Sequence, residues 1–387
     1  MTVLALAHVT DDVNQSFIPA LLPYLILERH ISHETAATLV FWQAVSSSVI
    51  QPAIGVLADR RSMPWLIAIG IALAGGGVAL LGVLPTLPLL FLAALVSGIG
   101  VATFHPEAAR FANYVSGEKK ASGMRWFTVG GNLGFAFGPA FATAAISAWG
   151  MHGTLVAAVP VAILAGVVLL ELRRLKTFVP AHVVKRTLAG RDDWASFGKL
   201  SAFVILRSMA YIGSVSFVPL FFVEALHTSP AAGDAILMAF LLAGAAGTIA
   251  GGPIADRVGR RPVILWSTAL TAVLFGALAF VGPAAGMTIA VPWMLLTGFI
   301  FVAAQASFVV LGQEYLPNRV GLASGVTLGL AVSLGGAFTP VLGMIADRWG
   351  VPASIATVAA LALAATLCAL TLPRETRRRA QMAEAVA

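Results

Sequence analysis

Charged residues and cysteine are both scarce in this sequence. Charged residues make up 11% of the 387 residues, whereas hydrophobic residues make up 59%, and the mean hydropathy is +0.91. A soluble protein of this size could not bury so much apolar surface. The single cysteine, Cys368, excludes an internal disulfide. The composition therefore indicates a protein that crosses a membrane several times.

Motifs of several other protein classes are also missing. The sequence contains no Gly-x-x-x-x-Gly-Lys-Ser/Thr loop, so ATP is not expected to supply the energy. It contains neither Gly-x-Ser-x-Gly nor His-Glu-x-x-His, and its seven histidines show no metal-ligand spacing. The net charge of +7 comes from dispersed basic residues rather than from a nucleic-acid motif. We therefore expect no enzyme activity, no metal, no cofactor and no nucleic-acid partner.

An internal repeat divides the chain. The pattern Gly-x-x-x-Asp-Arg occurs at 55–60 and again at 252–257. Three further pairs of similar segments occur in the same order in both parts of the chain, namely 16–19 with 216–219, 121–123 with 323–325, and 149–150 with 349–350. The offsets are 197 to 202 residues. Paired halves of about six apolar segments are typical of secondary transporters, with the substrate held between the halves. This design disfavours a channel.

Apolar runs of about 20 residues predict twelve membrane-spanning helices. The predicted spans are 3–27, 34–58, 64–84, 87–111, 121–148, 151–172, 198–225, 233–255, 262–283, 287–312, 321–347 and 351–372. We therefore predict an all-α membrane protein with an N-terminal half at 1–172, a cytoplasmic linker at 173–197, and a C-terminal half at 198–387 that ends in a short basic tail.

The distribution of Lys and Arg predicts the orientation of these spans. All but Arg29, Arg207 and Arg348 lie in the loops after the even-numbered spans, at the adjoining helix ends, or in the tail. Positive charges remain on the cytoplasmic side of membranes. Both termini are therefore predicted to be cytoplasmic, and the basic linker and tail are expected to meet anionic lipid head groups.

The repeated Gly-x-x-x-Asp-Arg segments resemble the cytoplasmic loop signature of the major facilitator superfamily. The second copy matches fully, whereas the first lacks the later glycine and basic residue. The resemblance implies a latch that holds the cytoplasmic side shut. The residues assigned to this gating are Gly55, Asp59, Arg60, Gly252, Asp256, Arg257, Gly259 and Arg260, together with Arg110 and Arg125 as gate or interface ion-pair residues. A turn with a positive-inside anchor is the structural alternative.

Several stretches together resemble one family of the superfamily, the fosmidomycin-resistance family of drug exporters. They are His8-x-x-x-Asp12, Ser16–Pro23, Gln51-Pro-x-x-Gly55, Ser62–Trp65, Phe104-His-Pro-Glu-Ala108 and Val129–Asn132. Gly134-x-x-x-Gly138-Pro139 is similar to the fifth-helix motif of antiporters, although Ala142 and Thr143 replace expected glycines. The resemblance implies efflux of small, often anionic or amphipathic compounds in exchange for protons.

Ionisable residues inside the predicted spans are candidates for proton coupling. His8 and Asp12 share one helix face, because they are four residues apart. His105 and Glu107 lie near the same depth in span 4. Burial disfavours the charged form of such groups, so each can gain or lose a proton. Asp12 and Glu107 are the preferred carriers without a choice between them, and a structural role for His105 is an equal alternative.

Arg207 is the one cation deep inside a predicted span of the second half. Because it stays charged, it needs a carboxylate or an anionic substrate as partner. We therefore predict that it binds the substrate across a cavity that His8 and Asp12 also line. The further candidate substrate residues are Tyr211, Gln43, Trp126, Asn132 and Gln305, although lone glutamines more often bridge helices and aromatic residues more often pack.

The leading hypothesis is a proton-driven exporter that works by alternating access as a monomer in the cell (inner) membrane. A proton symporter that imports an organic anion is the alternative, since the same arginine and carboxylates would serve it. The residues do not indicate the direction, the substrate or the number of protons.

Overall fold

The computed structural model describes residues 1–60, 62–116, 120–178, 191–319, 322–323 and 325–374. Within these ranges the chain is all helical, as the apolar runs predict, and its helices supply twelve membrane-spanning segments. They are α1 (Thr2–Arg29), α2 (His33–Arg60), α3 (Trp65–Leu80), α4 (Leu87–Val115), α5 (Lys120–Trp149), α6 (Ala158–Lys176), α7 (Trp194–Ala225), α8 (Pro230–Val258), α9 (Arg260–Ala285), α10 (Met287–Ala303), α11 (Gln305–Tyr315), α12 (Ala331–Ala337), α13 (Thr339–Trp349) and α14 (Val351–Leu370).

Three predicted spans are not continuous α-helices. The sixth begins with a 3₁₀ helix at Gly150–Ala157 before α6. The tenth is divided into α10 and α11, and the eleventh consists of a π-helical stretch at Gly325–Leu330 followed by α12 and α13. Pro340 is among the first residues of α13 and has no amide hydrogen, so the hydrogen-bond ladder of an α-helix is interrupted there.

Two compact units group the helices by their mutual packing. The first unit contains Met1–Lys185, Val215–Ala239 and Gly336–Val351. The second contains Arg186–Ser214, Phe240–Gly335 and Pro352–Ala387. The last turns of α7, the first turns of α8 and the whole of α13 thus belong to the first unit. The division of the chain into halves at the 173–197 linker stays a prediction.

Glycines bring α1 and α5 into close contact in the first unit. A Cβ atom on Gly130 would stand 2.6 Å from the carbonyl oxygen of Ala5, and one on Gly138 would overlap Ser16 Oγ. Gly134 faces Val9 in the same way. The Gly-x-x-x-Gly spacing therefore creates the flat helix face that its sequence predicts, and this face places α5 directly beside the polar positions of α1.

In each unit, a glutamate from a later helix accepts a hydrogen bond from a residue at or just before the start of another helix. In the first unit, Glu107 Oε1 accepts the amide hydrogen of Met63 at 2.7 Å, just before α3. In the second unit, Arg260 at the start of α9 donates to Glu314 Oε1 at 2.8 Å. Each contact joins the start of one helix to a later helix of the same unit.

The second unit has an apolar core between α7, α9, α11 and α14. Its buried members include Phe203, Ile264, Phe308 and Tyr315. Asp193 accepts the amide hydrogen of Ser196 at 3.0 Å, which satisfies a free donor at the start of α7. This core holds α7, the helix that carries Arg207, against the other helices of the second unit.

Candidate functional site

The buried polar residues of α1 form the centre of the site in the first unit. Seven helical stretches of the described chain are long and apolar enough to cross a membrane by length and composition alone, and α1 is not one of them. The reason is a run of polar residues that the fold buries, comprising His8, Thr10, Asp11, Asp12, Asn14 and Ser16. Because burial of such groups costs free energy without partners, their contacts decide what the site can do.

Asp12 lies between two imidazoles. Its Oδ2 atom is 3.4 Å from Nε2 of His8, one helical turn earlier. Its Oδ1 atom is 3.3 Å from Nε2 of His105 on α4. The two rings meet edge to face with centroids 5.1 Å apart. His8 and Asp12 thus lie on one helix face, as their spacing predicts, and His105 lies beside them.

Backbone carbonyls determine the orientation of both imidazoles. Nδ1 of His8 is 2.8 Å from the carbonyl oxygen of Phe127, and Nδ1 of His105 is 3.0 Å from that of Val101. Since a carbonyl oxygen only accepts hydrogen bonds, both Nδ1 atoms carry hydrogen. Each neutral ring would then direct the lone pair of Nε2 at a carboxylate oxygen of Asp12. At least one additional proton is needed to make these contacts attractive.

The histidine and aspartate side chains can share a cation. Within the described ranges, ligand atoms of His8, Asp12 and His105 lie within 4.8 Å of one another. Asp11 adds a second buried carboxylate, with Oδ2 3.4 Å from Nδ1 of His105. The sequence spacing of the histidines did not predict this cluster, because His8 and His105 come from different spans.

One wall of the cluster is formed by α5. The ring of Phe127 stacks on His8 with centroids 4.1 Å apart. A Cβ atom on Gly131 would stand 2.6 Å from Nε2 of His8 and 2.7 Å from Oδ2 of Asp12. The glycine therefore leaves the space that the histidine and aspartate pair occupies, which gives the Val129–Asn132 motif a physical reason.

Glu107 lies in a different environment. It is completely buried, and its Oε1 atom accepts hydrogen bonds from Nη2 of Arg110 at 2.6 Å and from the Met63 amide at 2.7 Å. A carboxylate with a guanidinium and an amide donor is stabilised in its charged form. Glu107 and Asp12 therefore differ in their partners, and the sequence did not predict this difference.

Arg207 is buried in the second unit, with 3% of its surface exposed. Its Nη2 atom donates to the carbonyl oxygen of Phe301 at 2.9 Å, and its guanidinium lies over the rings of Phe301 and Phe308 at 4.9 Å and over Tyr211 at 5.9 Å. No carboxylate of the described residues is close enough for an ion pair, and Nε has no hydrogen-bond partner among them.

Arg207 also coincides with the interruption of the tenth span. In a continuous α-helix the carbonyl oxygen of Phe301 would accept the amide hydrogen of Gln305. Here that oxygen accepts from Arg207, and the helix is interrupted at Ala304. A side chain that enters the backbone ladder is an established cause of such breaks. The guanidinium is therefore stabilised by a backbone carbonyl and by aromatic faces rather than by an acid.

The remaining candidate substrate residues have mixed surroundings. Gln43 donates to Ser97 Oγ at 3.2 Å and so bridges α2 and α4. Trp126 and Asn132 are exposed on α5. Gln305 is half-buried at the start of α11. Tyr211 packs edge to face on Phe301 beside Arg207. Of this group, Tyr211 is the one that lies beside Arg207.

The gating candidates are only partly described. The side chains of Asp59, Arg60 and Arg125 lie outside the described residues. A Cβ atom added to Gly55 or to Gly252 would have no atom within 4 Å, so neither glycine is needed for close packing here. The side chains of Asp256 and Arg257 are exposed at the end of α8, and Gly259 adopts a positive φ of 94° before α9.

Two polar clusters were missed by sequence reasoning. Asp234, at the start of α8, is completely buried and accepts a hydrogen bond from Thr143 Oγ1 at 2.7 Å. His33 contacts Glu224 Oε1 at 2.6 Å and Asp347 Oδ1 at 2.7 Å. The signal for Asp234 was its position inside a predicted span. His33 and its partners lie at predicted span ends, where charge is ordinary, so no signal was present.

The family of the chain follows from comparison with known proteins. The sequence model of the Major Facilitator Superfamily matches residues 4–340 and, in a second match, residues 201–385. The chain belongs to the Major Facilitator Superfamily. It is therefore a multi-pass membrane protein and a secondary transporter of small molecules, and not an enzyme.

Two bacterial members of the superfamily are similar over most of their length. The chain is 31% identical to the fosmidomycin resistance protein of Escherichia coli (strain K12) over 353 residues, which cover 89% of this chain and 86% of that protein. It is 29% identical to the uncharacterized MFS-type transporter YfnC of Bacillus subtilis (strain 168), with 98% of this chain and 94% of that protein covered.

Two solved structures of transporters share the fold. A bacterial homolog of the human lysosomal transporter Spinster, crystallised in an inward-facing and occupied conformation, matches with a TM-score of 0.80 at 14% identity over 95% of both chains. The nucleoside transporter NupG matches with a TM-score of 0.75 at 16% identity over 96% of this chain and 98% of that chain. At this identity the likeness concerns the fold alone.

Proposed function

We propose that this superfamily member is a proton-coupled exporter of small anionic compounds, and that Asp12 carries the coupling proton. The observation that carries the proposal is the position of Asp12 between the Nε2 atoms of His8 and His105, at 3.4 and 3.3 Å. Transport of anions is assigned to Arg207. The protein is placed in the cell membrane with both termini in the cytoplasm, as a monomer.

Proton binding follows from the fixed orientation of the two histidines. Their Nδ1 atoms donate to backbone carbonyls, so protonation changes occur at the Nε2 atoms or on Asp12. A proton between an Nε2 atom and a carboxylate oxygen converts a repulsion of lone pairs into a charge-assisted hydrogen bond. Loss of that proton leaves a buried and uncompensated carboxylate, which is costly.

The proton state of this cluster would act on helix packing. Asp12 belongs to α1 and His105 to α4. Phe127, whose ring stacks on His8, belongs to α5. A protonated cluster holds α1 and α4 together, whereas a deprotonated cluster weakens their contact. A ligand shifts a conformational equilibrium only through its different affinity for the two states, and the proton has such a difference here.

Arg207 supports an anionic substrate. It is buried, permanently charged and without a carboxylate partner among the described residues. Aromatic faces and one carbonyl stabilise the guanidinium without using all of its donors, and the buried Nε has no hydrogen-bond partner among the described residues. A carboxylate, phosphate or phosphonate could accept two parallel hydrogen bonds from such a group. Tyr211 would contact the same ligand.

Export is the proposed direction because the E. coli relative is named for fosmidomycin resistance. Import of an organic anion with protons remains the second candidate, since Arg207 and Asp12 would serve it equally. For the cytoplasmic gate we propose Gly252, Asp256 and Arg257, and the exposure of both charged residues agrees with a latch that is not engaged here.

A flux assay with fosmidomycin tests the proposal. The full chain is reconstituted into vesicles that contain a pH-sensitive dye, and an outward or inward proton gradient is imposed. We expect uphill movement of fosmidomycin against the direction of proton flow. Asp12→Asn should abolish gradient-driven movement, because a neutral amide cannot exchange a proton. Glu28→Gln, on the exposed end of the same helix, is the matched control and should behave as wild type.

The outcomes separate the candidates. Movement of fosmidomycin in the same direction as protons would replace export by import. Gradient-driven transport by Asp12→Asn at the wild-type rate would refute the assignment of Asp12. An absence of fosmidomycin flux in the wild-type protein would show that fosmidomycin is not among the anionic compounds that the protein exports.

A further inference from the structure

A further buried carboxylate, remote from Asp11, Asp12 and Glu107 in the sequence, lies on α8 in the first unit. Asp234 is on the second turn of α8 and has no exposed surface. Thr143 Oγ1, on α5, donates to its Oδ2 atom at 2.7 Å. The hydroxyl group of Tyr24, on α1, lies 3.2 Å from the same threonine oxygen. The Oδ1 atom of Asp234 has no hydrogen-bond partner among the described residues.

Among the residues that the structure describes, none compensates a charge on Asp234. Within the described ranges, no Lys, Arg or His side chain lies within ion-pairing distance of this carboxylate. Tyr24 is the titratable group that faces it from α1. The helix α7 packs on α8 at Gly233, and its nearby acid, Glu224, is bonded to His33. An ionised carboxylate in this environment would be strongly disfavoured.

A structural role does not explain why this residue is an acid. Asp234 is the fifth residue of α8, beyond the first turn in which a carboxylate stabilises free amide groups. A serine or an asparagine would accept the hydrogen bond of Thr143 at a smaller cost of burial. The property that only the carboxyl group adds is the ability to bind and release a proton.

We infer that Asp234 is a second proton-binding site, closed to water by its contact with Thr143. The inference rests on the proposed proton coupling. In the observed state Asp234 holds a proton as a neutral carboxylic acid. When α8 separates from α5, the acid meets water and transfers this proton to it, which leaves the carboxylate; proton uptake reverses the step.

The two proton sites would serve opposite membrane faces. Tyr24 and Asp12 lie on the same helix, twelve residues apart, which corresponds to about 18 Å along the helix axis. The predicted orientation places Asp12 toward the cytoplasm and Asp234 toward the outside. Protons would thus exchange with the outer water at Asp234 and with the cytoplasm at Asp12.

Infrared difference spectroscopy on the purified full chain tests the inference without any substrate. The pH is stepped from acid to alkaline, and the carbonyl stretching bands of protonated carboxylic acids are recorded. We expect one band to disappear in Asp234→Asn, to remain in Asp12→Asn and in the control Glu28→Gln, and to return in Asp234→Glu at a shifted position.

Thr143→Val supplies a second readout. It removes the hydrogen bond but keeps the acid, so the band assigned to Asp234 should move to higher frequency than in wild type. A spectrum of Asp234→Asn identical to that of wild type would overturn the inference, as would an unshifted band in Thr143→Val. Gradient-driven transport at the wild-type rate in Asp12→Asn would refute the proposed proton coupling at Asp12 and leave this band unchanged.

Discussion

Gly131 of α5 lies against His8 of α1, so close that a methyl group on the glycine would stand 2.5 Å from Cε1 of the imidazole. The same methyl group would be 2.7 Å from Oδ2 of Asp12. A motif that reads as a helix-packing element therefore also shapes the proposed proton site. The position of α5 and the protonation chemistry of α1 depend on the same glycine.

Replacement of Gly131 by alanine is the first prediction. The added methyl group must displace His8 or Asp12, so Gly131→Ala should reduce proton-coupled flux strongly and destabilise the protein by about 1–3 kcal/mol. Gly166→Ala is the matched control, because no atom lies within 4 Å of its Cβ position in α6. Proton flux in vesicles and thermal unfolding measure the two effects. Equal flux in both variants would contradict the prediction.

The second prediction separates Glu107 from Asp12. Glu107→Gln should weaken the contacts with Arg110 and with the amide of Met63 and destabilise the α3–α4 packing by about 1–3 kcal/mol. The ratio of protons to substrate should stay at the wild-type value, whereas Asp12→Asn loses coupling. Thermal unfolding and stoichiometry measurements check this. A changed proton ratio in Glu107→Gln would instead place the proton on Glu107.

The third prediction concerns the chemistry of Arg207. Arg207→Lys keeps the charge but loses the planar fork that binds an anion through two hydrogen bonds. Fosmidomycin affinity, measured by calorimetry on the purified protein, should fall about tenfold or more, which corresponds to about 1.4 kcal/mol. Arg173→Lys, on the exposed face of α6, is the control. Wild-type affinity in Arg207→Lys would refute the role in anion binding.

The fourth prediction is a pH dependence at His33, which precedes the predicted span 34–58. Burial lowers the pKa of His33, but hydrogen bonds to Glu224 and Asp347 outweigh burial and raise the pKa above its ordinary value. The contact is therefore fully present below the ordinary pKa of about 6.5 and is lost as the pH rises through the raised pKa. Alkaline pH should loosen this end of the first unit.

Alkylation of a buried cysteine measures this loosening. In a background without Cys368, a cysteine in place of Ala37, which is completely buried, should react faster as the pH rises, after correction for thiol ionisation. His33→Gln should abolish that acceleration, because glutamine does not titrate. An acceleration of the same size in His33→Gln would show that another group is responsible.

Local patterns predicted part of the site. The spacing of His8 and Asp12 predicted a shared helix face, and their side chains are 3.4 Å apart. The depth of Arg207 in an apolar run predicted a buried cation, and it is buried. Both predictions succeeded because helical periodicity and hydropathy act over a few residues. The gating assignments and the cytoplasmic position of the termini stay predictions.

Other relationships could not be predicted, because they join helices that are distant in the chain. His105 reaches Asp12 only when α4 packs beside α1. Asp234 meets Thr143 only through the packing of α8 on α5. The tenth span is interrupted at Ala304, where no proline predicts a break. This interruption coincides with the hydrogen bond that Arg207 donates to the Phe301 carbonyl oxygen. Spacing in the sequence contains no information on such contacts.

The amino-acid sequence by itself determined that the chain is an all-helical membrane protein with twelve spans and an internal repeat, because apolar length and periodicity are local properties. It also determined which spans carry ionisable groups. Only the tertiary structure decided which of these groups have partners. Asp12 lies between two imidazoles, Glu107 is bonded to Arg110, and Arg207 has no acid within the described chain. The reason is physical: the cost of a buried charge depends on what surrounds it, and those surroundings come from other helices.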